Sequence, residues 1–325
     1  MPGVRHWVLG VDSGGSGVRV ALTRADGSGG PDAVTDDRPV ATGERGIDAA
    51  SLLERVLPHA AGLLREAAGG SIAAACVGAA GMATLGDDLR AALPAALEDA
   101  FGVRALALAG DAVTAYAGAL GLRPGVVVAA GTGLIALGTT GDSWRRADGW
   151  GHLLGDAGGG AWIGRAGLEA AMRAYDGRAG GSAALLACAQ DRFGPAGSMP
   201  GQLYPRTDRP AVLASFAPDV ARCAALDPVA SEILRRAAEH ILESAAAARP
   251  EKSGAIEVGL TGGLFRMGEP LLGPLRDQAG RLLPDAVLVP AAGDPLDGAL
   301  LIARALRDDA LTLPCDGAML HVVRR

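Results

Sequence analysis

Val8-Leu9-Gly10-Val11-Asp12-Ser13-Gly14-Gly15-Ser16-Gly17-Val18-Arg19-Val20-Ala21-Leu22 opens the chain as an apolar strand, a glycine turn and a second strand. The return strand sets Val18, Val20 and Leu22 against Arg19, Ala21 and Thr23, a period of two. The pattern comes again as Val126-Val127-Val128-Ala129-Ala130, Gly131-Thr132-Gly133, then Leu134-Ile135-Ala136-Leu137-Gly138. Two such hairpins predict two related domains, each opening with one. A dinucleotide fingerprint needs a helix after its glycine turn, and here a strand follows both times.

Between the hairpins the pattern alternates. Helices are expected at 50–68, 89–101 and 112–120, and strands at 72–77 and 103–108. That alternation implies parallel strands with covered faces. Beyond the second hairpin, helices are expected at 161–173, 183–192, 210–225 and 228–248, then strands at 256–260 and 286–289. The last helix, 294–306, starts with Asp294 as N-cap and Pro295 at its first position. No polar linker interrupts the chain, so a hinge is expected near 111–122.

Composition narrows the function. Hydrophobic residues make up 49% of the 325, enough for two cores. A net charge of -6 and a pI near 5.4 argue against the basic stripe that nucleic acid requires and against an anionic membrane surface as partner. Lys252 is the only lysine and lies in a loop reading Arg249-Pro250-Glu251-Lys252-Ser253-Gly254, so no P-loop can be assembled. Cys76, Cys188, Cys223 and Cys315 are dispersed and read as reduced thiols of a cytoplasmic protein. No signal peptide or spanning segment is read, since the apolar run 126–138 is short and broken by glycine.

Five segments carry chemistry. In Asp12-Ser13-Gly14-Gly15-Ser16-Gly17, glycines allow backbone N–H groups to approach a polyphosphate, Ser16 adds a hydroxyl, and Asp12 could hold Mg²⁺ through water. A plain hairpin turn would use the same residues. Gly131-Thr132-Gly133 has the same two readings, and a branched side chain at Gly133 is expected to block phosphate and spare the fold. Asp111, at a strand-to-helix junction, is either a helix N-cap or a catalytic group at the carboxyl end of a strand. Gly149-Trp150-Gly151-His152-Leu153-Leu154-Gly155-Asp156-Ala157-Gly158-Gly159-Gly160 is rich enough in glycine to suggest a sugar loop, with Trp150 as an apolar wall and Asp156 as a hydroxyl acceptor. Gly262-Gly263 follows a strand and could cover a nucleoside.

In this order the five segments resemble the sugar-kinase/actin/Hsp70 superfamily. Within it the chain is similar to the family joining N-acetylglucosamine kinases to the BadF/BadG/BcrA/BcrD ATPases, most specifically over residues 149–165. The resemblance implies an α/β fold of two actin/hexokinase-like (ribonuclease H-like) domains, each a mixed five-stranded sheet with helices, around a central cleft. Residues 1–115 would form the first domain, completed by 297–325, and residues 116–296 the second, with a helical insertion.

It further implies an ATP-dependent kinase of an amino sugar at its C6 hydroxyl, working as a homodimer with Mg²⁺. Asp12, Gly14, Gly15, Ser16, Gly131, Thr132 and Gly133 would hold the phosphates, Gly262 and Gly263 the adenosine, and Asp111 would be the base. Asp111, Gly149, Trp150 and Asp156 would meet the sugar. An ATPase coupled to a partner protein is the alternative. The chain departs from its relatives in three places. An Asn that touches the sugar is missing from Ala41-Thr42-Gly43-Glu44-Arg45-Gly46, where Glu44 could instead face a C2 amine. Leu134 replaces a Ser, and Ala157 replaces a Glu.

Overall fold

The computed structural model describes residues 5–14, 17–28, 32–38, 40, 42–43, 46–82, 86–251 and 254–325. Gly15, Ser16, Glu44, Arg45 and Lys252 lie outside the described residues. The chain separates into two units, Met1–Pro124 with Thr139–Trp144 and Ala291–Arg325, and Gly125–Gly138 with Arg145–Pro290.

In the first unit, β1 (His6–Gly14) and β2 (Gly17–Arg24) form the first hairpin, with β3 (Asp32–Asp36) outside β2. A small ribbon, β4 (Thr42–Gly43) and β5 (Gly46–Ile47), precedes α1 (Ala49–Glu66), which Asp48 caps. Then come β6 (Ser71–Ala79), α2 (Asp87–Phe101), β7 (Ala105–Gly110) and α3 (Asp111–Leu120). β1, β6 and β7 run parallel, as the apolar runs with intervening helices require. Leu52, Val56, Ala60 and Leu63 of α1 recur at helical spacing and bury against Leu9, Val11, Val20 and Leu22.

The second unit opens with β8 (Gly125–Ala130), β9 (Leu134–Thr139) and β10 (Trp144–Asp148). Its helices are α4 (Gly160–Tyr175), α5 (Ala183–Phe193), α6 (Met199–Leu203), α7 (Arg209–Ser215), α8 (Ala217–Cys223) and α9 (Pro228–Ala248). β11 (Ile256–Thr261), α10 (Glu269–Leu282) and β12 (Ala286–Pro290) complete it, in a sheet of order β10-β9-β8-β11-β12. One helix expected over 210–225 is two. Phe216 is fully buried at the break, and Pro218, in the first turn of α8, has no N–H with which to continue α7.

The chain then returns to the first unit as α11 (Pro295–Arg307) and β13 (Leu320–Arg324). β13 pairs antiparallel with β7, giving a six-stranded sheet of order β13-β7-β6-β1-β2-β3 where five strands were expected. α11 begins as the sequence predicts, and Asp294 and Asp297 form a reciprocal capping box. α11 crosses α3 through glycine. A Cβ on Gly298 would overlap the Thr114 carbonyl oxygen, and one on Gly118 would overlap the Asp294 carbonyl. Gly293 and Ala292 donate their N–H groups to Gly118 O at 2.8 Å and Ala119 O at 3.1 Å. Gly10 of β1 leaves room for Leu300 in the same way, since a Cβ there would stand 2.8 Å from Leu300 Cγ.

This packing sets the first prediction. Gly298→Ala forces the two helices apart and lowers stability by about 1–3 kcal/mol, as overpacking does. Gly280→Ala, in α10 where nothing lies within 4 Å of a built Cβ, leaves stability unchanged or raises it by up to about 1 kcal/mol. Thermal denaturation of the two variants beside the parent checks the contrast.

Candidate active site

Register places the first group of residues. Across β1, β6 and β7, Ser13 pairs with Ala79 and Ala79 with Gly110. The carboxyl ends of three parallel strands therefore stop in one row. Asp12 stands just before that row on β1, and Asp111 just after it on β7. Strand spacing puts the two backbones about 10 Å apart.

Asp111 is exposed at the first position of α3, and the N-cap is Gly110. The carboxylate is therefore not the cap that the sequence suggested. Its Oδ1 accepts the Ala112 N–H at 2.9 Å, and its carbonyl accepts the Thr114 hydroxyl at 3.0 Å.

Asp12 sits directly opposite Arg19 of the return strand. The guanidinium donates twice to Asp12 Oδ2, from NH2 at 2.7 Å and Nε at 3.1 Å, and once to Asp294 Oδ2, from NH1 at 2.5 Å. The two carboxylates that share this cation respond in opposite senses. Burial raises the pKa of Asp12 above its ordinary value, with the charge of Asp294 adding to it and Arg19 opposing. Burial acts on Asp294 too, but Arg19 and the Asp297 and Leu296 amides outweigh it and hold its pKa down. Sequence reading missed both Arg19 and Asp294, which are far apart in the chain. Ser13 faces the other side of the sheet, buried, with an unpartnered hydroxyl that nothing in the structure explains.

Among the described residues no three His, Cys, Asp or Glu side chains converge on a metal. Asp12 nevertheless fits Mg²⁺, which binds through one or two carboxylates and keeps its waters and substrate phosphates. Cys188 and Cys223, dispersed in sequence, approach to 3.7 Å between sulfurs, whereas Cys76 is buried and its thiol pKa is pushed well up by desolvation.

The second group lies in the other unit. The turn Gly131-Thr132-Gly133 receives the start of α4. Gly160 N–H donates to Gly131 O at 2.9 Å, and Ala161 N–H to Thr132 O at 2.8 Å. Asp156 presses its carboxylate onto Gly133, where a Cβ would overlap Oδ2. It is 9% exposed and has φ of 56°, a left-handed conformation that Asp tolerates better than most residues. Gly151 N–H donates to Asp156 Oδ1 at 3.0 Å, and the Leu134 amide also donates to this carboxylate. Burial raises its pKa, those amides lower it, and the charge of Asp148 raises it further. Asp148 in turn accepts Asp156 N–H at 2.6 Å and Ala157 N–H at 2.9 Å. At Leu134 and Ala157 the backbone makes the contact.

The glycines of this loop are thus a folding requirement. Gly149, Gly151 and Gly158 have positive φ, a Cβ on Gly155 would overlap Asp148, and Gly159 and Gly160 lie against the Gly131–Gly133 turn. Trp150 is 62% exposed, with the Arg146 guanidinium 4.3 Å from its ring centroid. Gly262 has φ of 104° and backs onto Ala130 O. Gly14, Gly131 and Gly263 differ from these. Their φ values are not left-handed, and among the described residues nothing stands within 4 Å of a built Cβ. One such open glycine lies in each of the three turns expected to meet a nucleotide.

Two α/β units with mixed sheets of six and five strands, each carrying a glycine hairpin, are the actin/hexokinase-like fold, shared with solved hexokinases. The chain belongs to the BadF/BadG/BcrA/BcrD ATPase family, whose profile matches residues 9–303. A solved protein proposed as an N-acetylglucosamine kinase, from Chromobacterium violaceum, is 29% identical with a TM-score of 0.68, over 92% of this chain and 99% of that one. A second such protein, from Porphyromonas gingivalis, shares the fold at 19% identity and a TM-score of 0.69, over 93% and 99%. An N-acetylmuramic acid/N-acetylglucosamine kinase of Clostridium acetobutylicum is 41% identical over 69 residues, 21% of this chain and 22% of that relative, so the chain matches about a fifth of that protein's length.

The contact between Asp156 and Gly133 corrects one expectation. A side chain at 133 collides with that carboxylate and costs the fold stability. Gly133→Ala displaces the carboxylate from the Gly151 and Leu134 amides and destabilises by about 1.5–3 kcal/mol, the usual worth of a hydrogen bond to a charged group. Gly131→Ala, pointing into open space, stays within about 0.5 kcal/mol of the parent. Urea denaturation of both variants checks this.

Proposed function

We propose that the protein is an ATP-dependent kinase of an amino sugar, N-acetylglucosamine or glucosamine, acting on the C6 hydroxyl. The observation that carries the reading is the register of β1, β6 and β7, which stands Asp12 and an exposed Asp111 at one sheet edge, where open α/β sheets take their ligands. Family membership and the names given to the similar proteins support it.

Gly14 of the first unit and Gly131 of the second leave backbone uncovered for phosphate, and Gly263 does so for the nucleoside. Mg²⁺, when bound, offsets phosphate charge, and Asp12 would hold it through water. Asp111 accepts the proton of the sugar hydroxyl as that oxygen attacks the γ-phosphorus. The bond from the γ-phosphorus to the bridging oxygen breaks, and ADP leaves. In a loose transition state the base acts late, so Asp111 chiefly orients the hydroxyl. Trp150 offers an exposed aromatic face to the sugar ring. Asp156 serves the site by holding the second turn, and its carboxylate already accepts the Gly151 and Leu134 amides.

ADP release with glucosamine, N-acetylglucosamine and N-acetylmuramic acid tests the function. Turnover should rise on adding one of them, and ATP hydrolysis indifferent to all three would instead indicate an ATPase coupled to a partner protein. In Asp111→Asn the amide oxygen can keep the Ala112 contact while Gly110 still caps the helix. Sugar-dependent turnover then falls about 10²–10⁴-fold, the range for a lost general base, at an unchanged melting temperature. Near-parental turnover in this variant would remove Asp111 from the chemistry.

A further inference from the structure

We propose that Asp294 makes the first hairpin selective for metal-bound over free polyphosphate. The proposal deepens the nucleotide reading above and rests on it. The N-cap role of Asp294 uses one oxygen: Oδ1 accepts Leu296 N–H at 2.8 Å and Asp297 N–H at 3.1 Å. The other oxygen is turned to Arg19, away from the helix amides. That contact reaches across 275 positions of sequence to the strand opposite Asp12.

Its effect is electrostatic. Arg19 is the cation beside Asp12, and both faces of its fork are already taken by carboxylates. Asp12 on β1 and Asp294 at the start of α11 set two carboxylates against this one guanidinium, and Asp111 follows the same row of strand ends. An uncomplexed di- or triphosphate approaching Gly14 meets a net negative field, and an anion carrying Mg²⁺ brings the charge that the group lacks. Without Asp294, the guanidinium would be half unpaired and would attract free phosphate.

Asn at 294 separates the two roles. Its Oδ1 keeps the helix cap. Its NH₂ then faces the donors of Arg19, so the charge and the contact are both lost. The measurement is ADP binding by calorimetry, with Mg²⁺ and with EDTA, in the parent, Asp294→Asn and Arg19→Met, at fixed ionic strength. The parent should bind MgADP more tightly than free ADP. One unit charge acting at about 8 Å through an effective dielectric near 20 shifts the ratio of the two constants by about tenfold or more.

That ratio should fall in Asp294→Asn and rise in Arg19→Met, with Asp294→Asn still folded at the assay temperature. A role in capping alone would leave the ratio at its parental value in Asp294→Asn, and that result would overturn the proposal. If the parent bound neither form of ADP, the nucleotide reading itself would fail. If Arg19→Met does not fold, the Asp294→Asn ratio decides alone.

Discussion

At Gly118 and Gly298, α3 and α11 touch through backbone, because a methyl group on either would overlap a carbonyl of the opposing segment. Everything at the carboxyl edge of the first sheet takes its place from that contact. It seats α11 over β1 and β6, so its N-cap reaches the hairpin. It also holds α3, whose first residue is Asp111. A helix pair separated by ordinary side chains would sit 8–10 Å apart and carry Asp294 away from Arg19. The absence of two side chains thus determines which charges meet.

The second unit solves a similar problem with carboxylates. Residues 148–160 form few backbone bonds of their own, and buried amides need partners. Asp148 and Asp156 supply them, each accepting from the loop that contains the other or from the adjoining turn. The price is two non-glycine residues with left-handed backbone, φ 60° and 56°. Glycine at 133, 155, 159 and 160 lets those carboxylates and turns come close. What looked like a ligand loop by composition is first of all a folded object, and only Trp150 and its neighbours are left to face outward.

Local signals were legible in the chain. Both hairpins, the covered parallel strands, α9 and the capping box of α11 follow from residues within a few positions of one another. What escaped was non-local. β13, Leu320-His321-Val322-Val323-Arg324, is five residues long and is a strand because β7 lies beside it. Arg19 looked like the polar partner in an alternating strand, and nothing nearby pointed to Asp294. Asp111 had two readings, cap or catalytic group, and the cap reading failed because Gly110 took that place. The glycines around Asp156 were misjudged for a related reason: composition cannot separate a glycine demanded by φ or by packing from one left open to a ligand, and Gly131 and Gly133 fall on opposite sides of that line.

The first unit is discontinuous, and this has a consequence for synthesis on the ribosome. Its sheet can begin with β1, β2, β6 and β7, but α11 and β13 are made only after all of the second unit. Until then the face of β1 and β6 that α11 will cover is bare, and β7 is an unpaired edge, the kind of surface that aggregates in nascent chains. The second unit, continuous from Arg145 to Pro290, can close its own core meanwhile. Folding therefore runs against the order of synthesis, and the half that emerges first must be shielded until the half that emerges later is complete.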